Sequence, residues 1–136
     1  MRIMAVDYGD ARIGLAVSDE TATLCGEAWT LPERSMARAA DKIVREAAER
    51  GVSLFVLGYP KNMDGTLGPR AEKSAEFKAL LEARSDIPVR LWDERRTTVA
   101  AHEILRLNGR KMKSHRARVD AVAASLILEG YLGTLK

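Results

Sequence analysis

Cysteine, proline, histidine and aromatic residues are all scarce in this chain. Cys25 stands alone, so no internal disulfide can form. That excludes a disulfide-stapled scaffold and agrees with a reducing compartment. His102 and His115 are the only histidines, and neither lies at ligand spacing from the other or from Cys25, which argues against zinc chemistry. Aromatics make up 5% of 136 residues, too few for a surface on which bases stack. No run approaches the ~20 apolar residues of a membrane-spanning helix. The N-terminal stretch reaches Asp7 too soon for a signal peptide. These absences predict a cytoplasmic protein with no membrane partner. Nor is there a G-x-S-x-G element, a Walker loop or a G-x-G-x-x-G fingerprint.

What is present is ordinary for one globular unit. The hydrophobic fraction is 46% and the charged fraction 30%, and the length suits a single domain over 1–136. The net charge of +3 is mild, but its distribution is not even. From Ile104 to Val119 there is no acid, while Arg106, Arg110, Lys111, Lys113, Arg116 and Arg118 crowd together. Such a block attracts phosphates or an acidic surface, or it is a solvated loop before a basic helix start.

Apolar runs at Met1–Tyr8 and Arg12–Ser18 flank Gly9-Asp10 and predict a hairpin. A third run, Ala22 to Leu31, predicts a strand stopped by Pro32. Ser35 is placed to cap a helix over Met36–Arg50, whose stripe is Met36, Ala40, Ile43, Val44 and Ala47, with Gly51 ending it. Val52–Leu57 reads as a buried parallel strand, Gly58–Gly68 as a loop, and Pro69 to about Arg84 as a second helix. Pro88–Trp92 reads as another strand. A third helix is predicted from Thr97 or Thr98 to Leu107, and a last one through Val119, Val122, Ala123, Leu126 and Ile127. The order predicts an α/β fold. An antiparallel three-strand meander is followed by alternating helices and strands, giving a five-stranded mixed sheet with helices on both faces.

In such sheets, sites gather where parallel strands end. Asp7 ends the first strand, Asp93 and Glu94 follow the last, and Asp120 opens the final helix. Each acid alone is explained by turn formation or a helix dipole. Together at one edge they would repel one another unless a cation neutralised them. Mg²⁺ or Mn²⁺ takes such oxygen ligands, and two ions ~4 Å apart cleave phosphodiesters.

Four ordered stretches carry a resemblance over nearly the whole chain. They are Asp7-Tyr8-Gly9-Asp10-Ala11-Arg12-Ile13-Gly14-Leu15-Ala16-Val17-Ser18-Asp19, Gly58 to Ala71 with its Asn62-Met63-Asp64-Gly65-Thr66 core, Asp93-Glu94-Arg95-Arg96-Thr97-Thr98, and Val119 to Ala124. They resemble the YqgF family, also called RuvX, of pre-16S rRNA nucleases formerly described as Holliday junction resolvases. Ala11 stands where the family often has Lys or Thr, and Arg96 where it often has Leu. The resemblance implies a ribonuclease H-like fold and a metal-dependent nuclease. Its acids map to Asp7, Asp120 and the Asp93-Glu94 pair. Resolvases of related fold carry an acid on the strand ending here at Leu57-Gly58, and this chain has none there, which shifts weight to Glu94.

The expected ligand set is Asp7, Glu94 and Asp120 around Mg²⁺ or Mn²⁺, with Asp93 the alternate to Glu94 because a strand turns only one of two neighbours inward. Arg12, Asn62, Arg70, Arg95, Arg110, Lys111, Lys113 and Arg116 are expected to hold phosphates. The expected substrate is precursor rRNA, processed at the 5′ end of 16S rRNA. Branched DNA and a non-catalytic ribosome-assembly or nucleic-acid-binding module are the alternatives. An Asp-x-Gly turn also occurs in sugar kinases and actin-like ATPases, but those need two domains. A homodimer is compatible with the exposed basic face.

Overall fold

The two N-terminal apolar runs pair across their Gly-Asp turn. In this computed structural model, which describes residues 1–60, 64–93 and 115–135 and only the backbone of 115–119, β1 (Arg2–Asp7) lies antiparallel to β2 (Arg12–Ser18). β3 (Cys25–Pro32) adds to β2 in the same sense. Helix α1 (Met36–Arg50) then carries the chain to β4 (Val52–Tyr59), which pairs parallel with β1. Helix α2 (Pro69–Arg84) leads to β5 (Val89–Asp93), parallel to β4. The described chain resumes in α3 (His115–Gly133). The strand order is β3-β2-β1-β4-β5. The expected helix between Thr97 and Leu107 lies outside the described residues.

Strand alternation sorts the core into two layers. Met4, Val6, Ile13, Leu15, Phe55 and Leu57 face α1 and α2, where Ile43, Phe77 and Leu81 meet them. Ile3, Ala5, Ala16, Leu54 and Val56 face Ala124, Ile127, Leu128 and Leu132 of α3. The predicted mixed sheet with helices on both faces is what forms. None of the described helices is long and apolar enough to cross a membrane.

The caps of α1 act as their residue types require. Ser35 accepts a hydrogen bond from the Arg38 N–H, and Gly51 adopts the left-handed conformation at φ 67°. Several boundaries differ from expectation. β5 runs Val89–Asp93 rather than Pro88–Trp92, and α3 begins at His115, which puts Asp120 past its first turn rather than at its opening. Residues 22–24 belong to the β2–β3 turn rather than the strand. There the Asp19 carboxylate accepts bonds from the Thr23 N–H and hydroxyl, at 2.8 and 2.7 Å, which hold its pKa down at about 2. Pro32 stays within β3, because an edge strand tolerates a missing N–H. β4 runs on through Gly58 and Tyr59, because Trp92 and Asp93 of β5 lie alongside to pair with them.

Candidate active site

β1, β4 and β5 are parallel, so their carboxyl ends share one edge of the sheet. Asp7 is the last residue of β1. It follows Ile3 and Ala5 in alternation and so lies on the α3 side of the sheet. Its register partner on β2 is Gly14.

Gly14 explains how α3 comes close enough to matter. A Cβ placed there would lie 2.0 Å from the Asp120 carbonyl oxygen and 2.6 Å from its carbonyl carbon. The helix backbone therefore occupies the space that any side chain at 14 would take. This close approach brings Asp120, in the first turns of α3, to the residue paired with Asp7.

Arg12, two residues before Gly14 on the same side of β2, donates from Nε to Asp120 Oδ2 at 3.1 Å. The Asp120 side chain is 23% exposed. Burial pushes its carboxyl above the usual carboxylate value. The Arg12 hydrogen bond opposes that rise, the Asp7 charge adds to it, and the charges of Arg12 and Arg70 pull back. Asp7, Arg12 and Arg70 thus all act on the charge of Asp120.

Arg70 reaches this place from the start of α2, where Gly68 occupies the N-cap and Pro69 follows. The β1–β2 turn and this helix start enclose a cavity of about 220 Å³ lined by Tyr8, Gly9, Asp10, Pro69, Arg70 and Lys73. Tyr8 turns to the opposite side from Asp7 and stacks on Phe77, ring centres 4.7 Å apart. Lys73 closes the rim by an ion pair to Asp10 at 2.8 Å.

Of the acids expected from sequence, Asp7 and Asp120 come together. Asp93 pairs in register with Tyr59 and takes the α2 side of the sheet, shared with Val89 and Phe55, away from Asp7. Glu94 lies outside the described residues. So do Asn62, Arg95, Arg110, Lys111 and Lys113, and the side chain of Arg116. Arg12 bonds Asp120, and the Arg70 charge acts on the same carboxyl. Among the described residues no group of three or more potential metal ligands assembles. The donor set still suits a hard cation, since Mg²⁺ is commonly held by one or two carboxylates with substrate phosphate and water completing its shell.

The sequence pattern assigns Gly14 no role and passes over Arg34 and Arg38. A lone glycine inside an apolar strand is the available signal for the first, since it marks close backbone approach. Arg34 and Arg38 line a groove of about 530 Å³ with Ala11, Arg12, Pro32 and Glu33. Glu33 is the acid in that lining. Its carboxylate accepts from Lys42 Nζ at 2.8 Å, the Ser35 N–H at 3.0 Å and Arg38 Nε at 3.4 Å. The Lys42 bond is the main cause that lowers its pKa to about 2. An unfolded glutamate titrates near ~4.3. Glu33 therefore contributes stability that is complete above that value and is lost as pH falls through about 2. Carboxyl chemical shifts followed by NMR should place the Glu33 midpoint near 2, and Lys42→Ala should move it upward.

The mixed five-stranded sheet with acids at its carboxyl edge and the chain's relatives together place the protein among the nucleases, hydrolases that act on phosphodiester bonds. The structure aligns with Thermus thermophilus RuvC bound to a Holliday junction substrate at a TM-score of 0.62, over 98% of this chain and 97% of that one. The sequence identity there is 12%, so this likeness shows the ribonuclease H-like fold. The chain belongs to the RuvX family, whose model, described as Holliday junction resolvase, matches residues 1–134. A relative from Acetivibrio thermocellus is 45% identical over 134 residues, covering 97% of this chain and 95% of its own, and is named "Putative pre-16S rRNA nuclease". A relative from Halothermothrix orenii with the same name is 41% identical, covering 97% and 94%. Membership of this family decides against the sugar-kinase reading of the Asp-x-Gly turn.

Proposed function

We propose that this chain is a metal-dependent nuclease that processes the 5′ end of precursor 16S rRNA. One observation carries the reading: the Gly14 close approach sets Asp120 beside Asp7, with Arg12 and Arg70 around the pair. The names of the relatives support rRNA as the substrate. Asp7, Asp120 and Glu94 would hold Mg²⁺ or Mn²⁺, and Asp93 is the weaker candidate because alternation turns it to the other side of the sheet. A bound ion supplies a water of lowered pKa and neutralises charge developing on the phosphate.

The chain's own residues do the rest. Asp7 and Asp120 fix the acidic end of the site. Arg12 and Arg70 take phosphate oxygens, and a guanidinium suits this because its planar donors match two oxygens at once. Arg12 already lies at the acid pair, where its Nε donates to Asp120. Asn62, Arg95, Arg110, Lys111, Lys113 and Arg116 complete the proposed phosphate contacts. A homodimer belongs to the same reading, with sedimentation equilibrium as its measurement.

The test is cleavage of a precursor 16S rRNA fragment and of a four-way DNA junction by purified protein. Mg²⁺, Mn²⁺ and chelator form separate arms. Cut rRNA with either ion and none with chelator is expected. Cleavage confined to the junction would move the activity to branched DNA, as the family description has it. Binding without cleavage of either would leave an assembly module and sink the catalytic reading.

A further inference from the structure

We propose that the groove lined by Arg12, Arg34 and Arg38 is a second phosphate-binding tract. It would carry the backbone of the nucleic acid strand leading away from the acidic pair. The inference rests on the nuclease function proposed for the acid pair and adds a path for the substrate outside the basic block at Ile104–Val119.

Its geometry begins with the sheet. The start of β2 and the end of β3 are register partners at Arg12 and Pro32, and the Glu33 N–H donates to the Ala11 carbonyl at 3.1 Å. The chain then turns through Arg34 into the Ser35 cap of α1. This corner forms the groove of about 530 Å³. Arg12 is common to the groove and to the acid pair, because it lines the first and bonds Asp120 in the second. A strand with one phosphate at Asp7 and Asp120 therefore meets Arg12 as it leaves and enters the groove next.

The charge there is unbalanced in favour of anions. Glu33 is the acid of the lining, and Lys42, the Ser35 N–H and Arg38 Nε already serve it. Arg38 uses Nε in that bond, and its side chain is 70% exposed. Arg34 is exposed as well. The first turn of α1 holds no acid, so its N-terminal N–H groups add to the positive field. The low aromatic content fits a tract that grips phosphates and ignores base identity.

The experiment measures binding of a fluorescent precursor 16S rRNA fragment by anisotropy, in chelator, over a range of salt. Arg34→Ala/Arg38→Ala is compared with Arg45→Ala/Arg90→Ala, which removes the same charge from exposed positions elsewhere. The first pair should weaken binding to unrelated sequences alike and flatten the salt slope by about 0.7–0.9 for each phosphate that the groove no longer neutralises. The second should leave the slope as in wild type. Arg34→Glu alone, which changes the charge by the same two units and leaves the Ser35 cap and the Glu33 ion pairs in place, should weaken binding to a similar extent. Its circular dichroism should match that of wild type.

Unchanged slopes in the groove variants, or equal flattening by the control pair, overturn the tract while leaving cleavage by wild type untouched. Flattened slopes in the groove variants beside a wild type that binds but never cuts support the tract and remove the catalytic reading. A wild type that binds no nucleic acid overturns both.

Discussion

Gly14→Ala should destabilise the protein by about 3 kcal/mol, at the upper end of the range for overpacked sites. It should also abolish cleavage in protein that still folds. The added methyl group would sit 2.0 Å from the Asp120 carbonyl oxygen, against the 3.4 Å or more of an ordinary van der Waals separation. The methyl carbon is fixed by the backbone at 14 and its partner is the backbone carbonyl of Asp120, so no rotamer change can relieve the clash. Either β2 bends away from β1, breaking the Asp7–Gly14 register, or α3 retreats by about an ångström or more. Retreat would also strip Ala124 and Ile127 from Ala5 and Val56. Either movement separates Asp120 from Asp7. Urea unfolding midpoints measure the loss. Gly26→Ala on β3 is the control, since its nearest neighbour would be 3.6 Å away and its backbone lies outside the positive-φ region. It should keep or slightly raise stability, by ~0.4–1 kcal/mol at most. If Gly14→Ala behaves like Gly26→Ala, the close approach of α3 is not what builds the site.

Gly14 also shows where sequence reading stops. The β1–β2 hairpin, both caps of α1 and the parallel character of β4 rest on local chemistry, and local chemistry is written in order along the chain. Turn residues at Gly9-Asp10, a hydroxyl at Ser35 and a glycine at Gly51 each act on neighbours a few positions away. The end of β4 is harder, because Gly58 and Tyr59 look like loop until Trp92 and Asp93 arrive beside them. The start of β3 fails for a related reason. Ala22 and Leu24 are apolar enough for a strand, but the Asp19 carboxylate recruits Thr23 and Leu24 into a turn. The meeting of Asp7 with Asp120 spans most of the chain, and two acids near element ends say only that they could meet. The methyl that is missing at Gly14 is what lets them. The groove is equally hidden. Arg34 and Arg38 read as solvated charge until Pro32, Glu33 and Arg12 fold around the same corner.

Asp7→Asn should reduce cleavage by about three orders of magnitude or more. A divalent ion contributes several kcal/mol at a reacting phosphate, and each ~1.4 kcal/mol is tenfold in rate. The substitution preserves size, so the fold should persist. Burial is the main cause of the raised Asp120 pKa and the Asp7 charge adds to it, so asparagine at 7 should remove only that added part of the rise. Repulsion between the two acids disappears with it, and without metal the variant should melt no lower than wild type. Metal separates the two proteins in the opposite direction. A ligand at a hundred times its dissociation constant stabilises the folded state by ~2.7 kcal/mol, so Mn²⁺ should raise the melting temperature of wild type. Asp7→Asn should lose most of that rise. Asp120→Asn should follow the same pattern, while Asp93→Asn should keep both the rise and the cleavage, because its strand position faces the other layer. Glu94→Gln should resemble Asp7→Asn if Glu94 is the third ligand. A variant Asp7→Asn that melts well below wild type yet cleaves at full rate would reduce Asp7 to the end of a strand, and the assignment of the acid pair would fall with it.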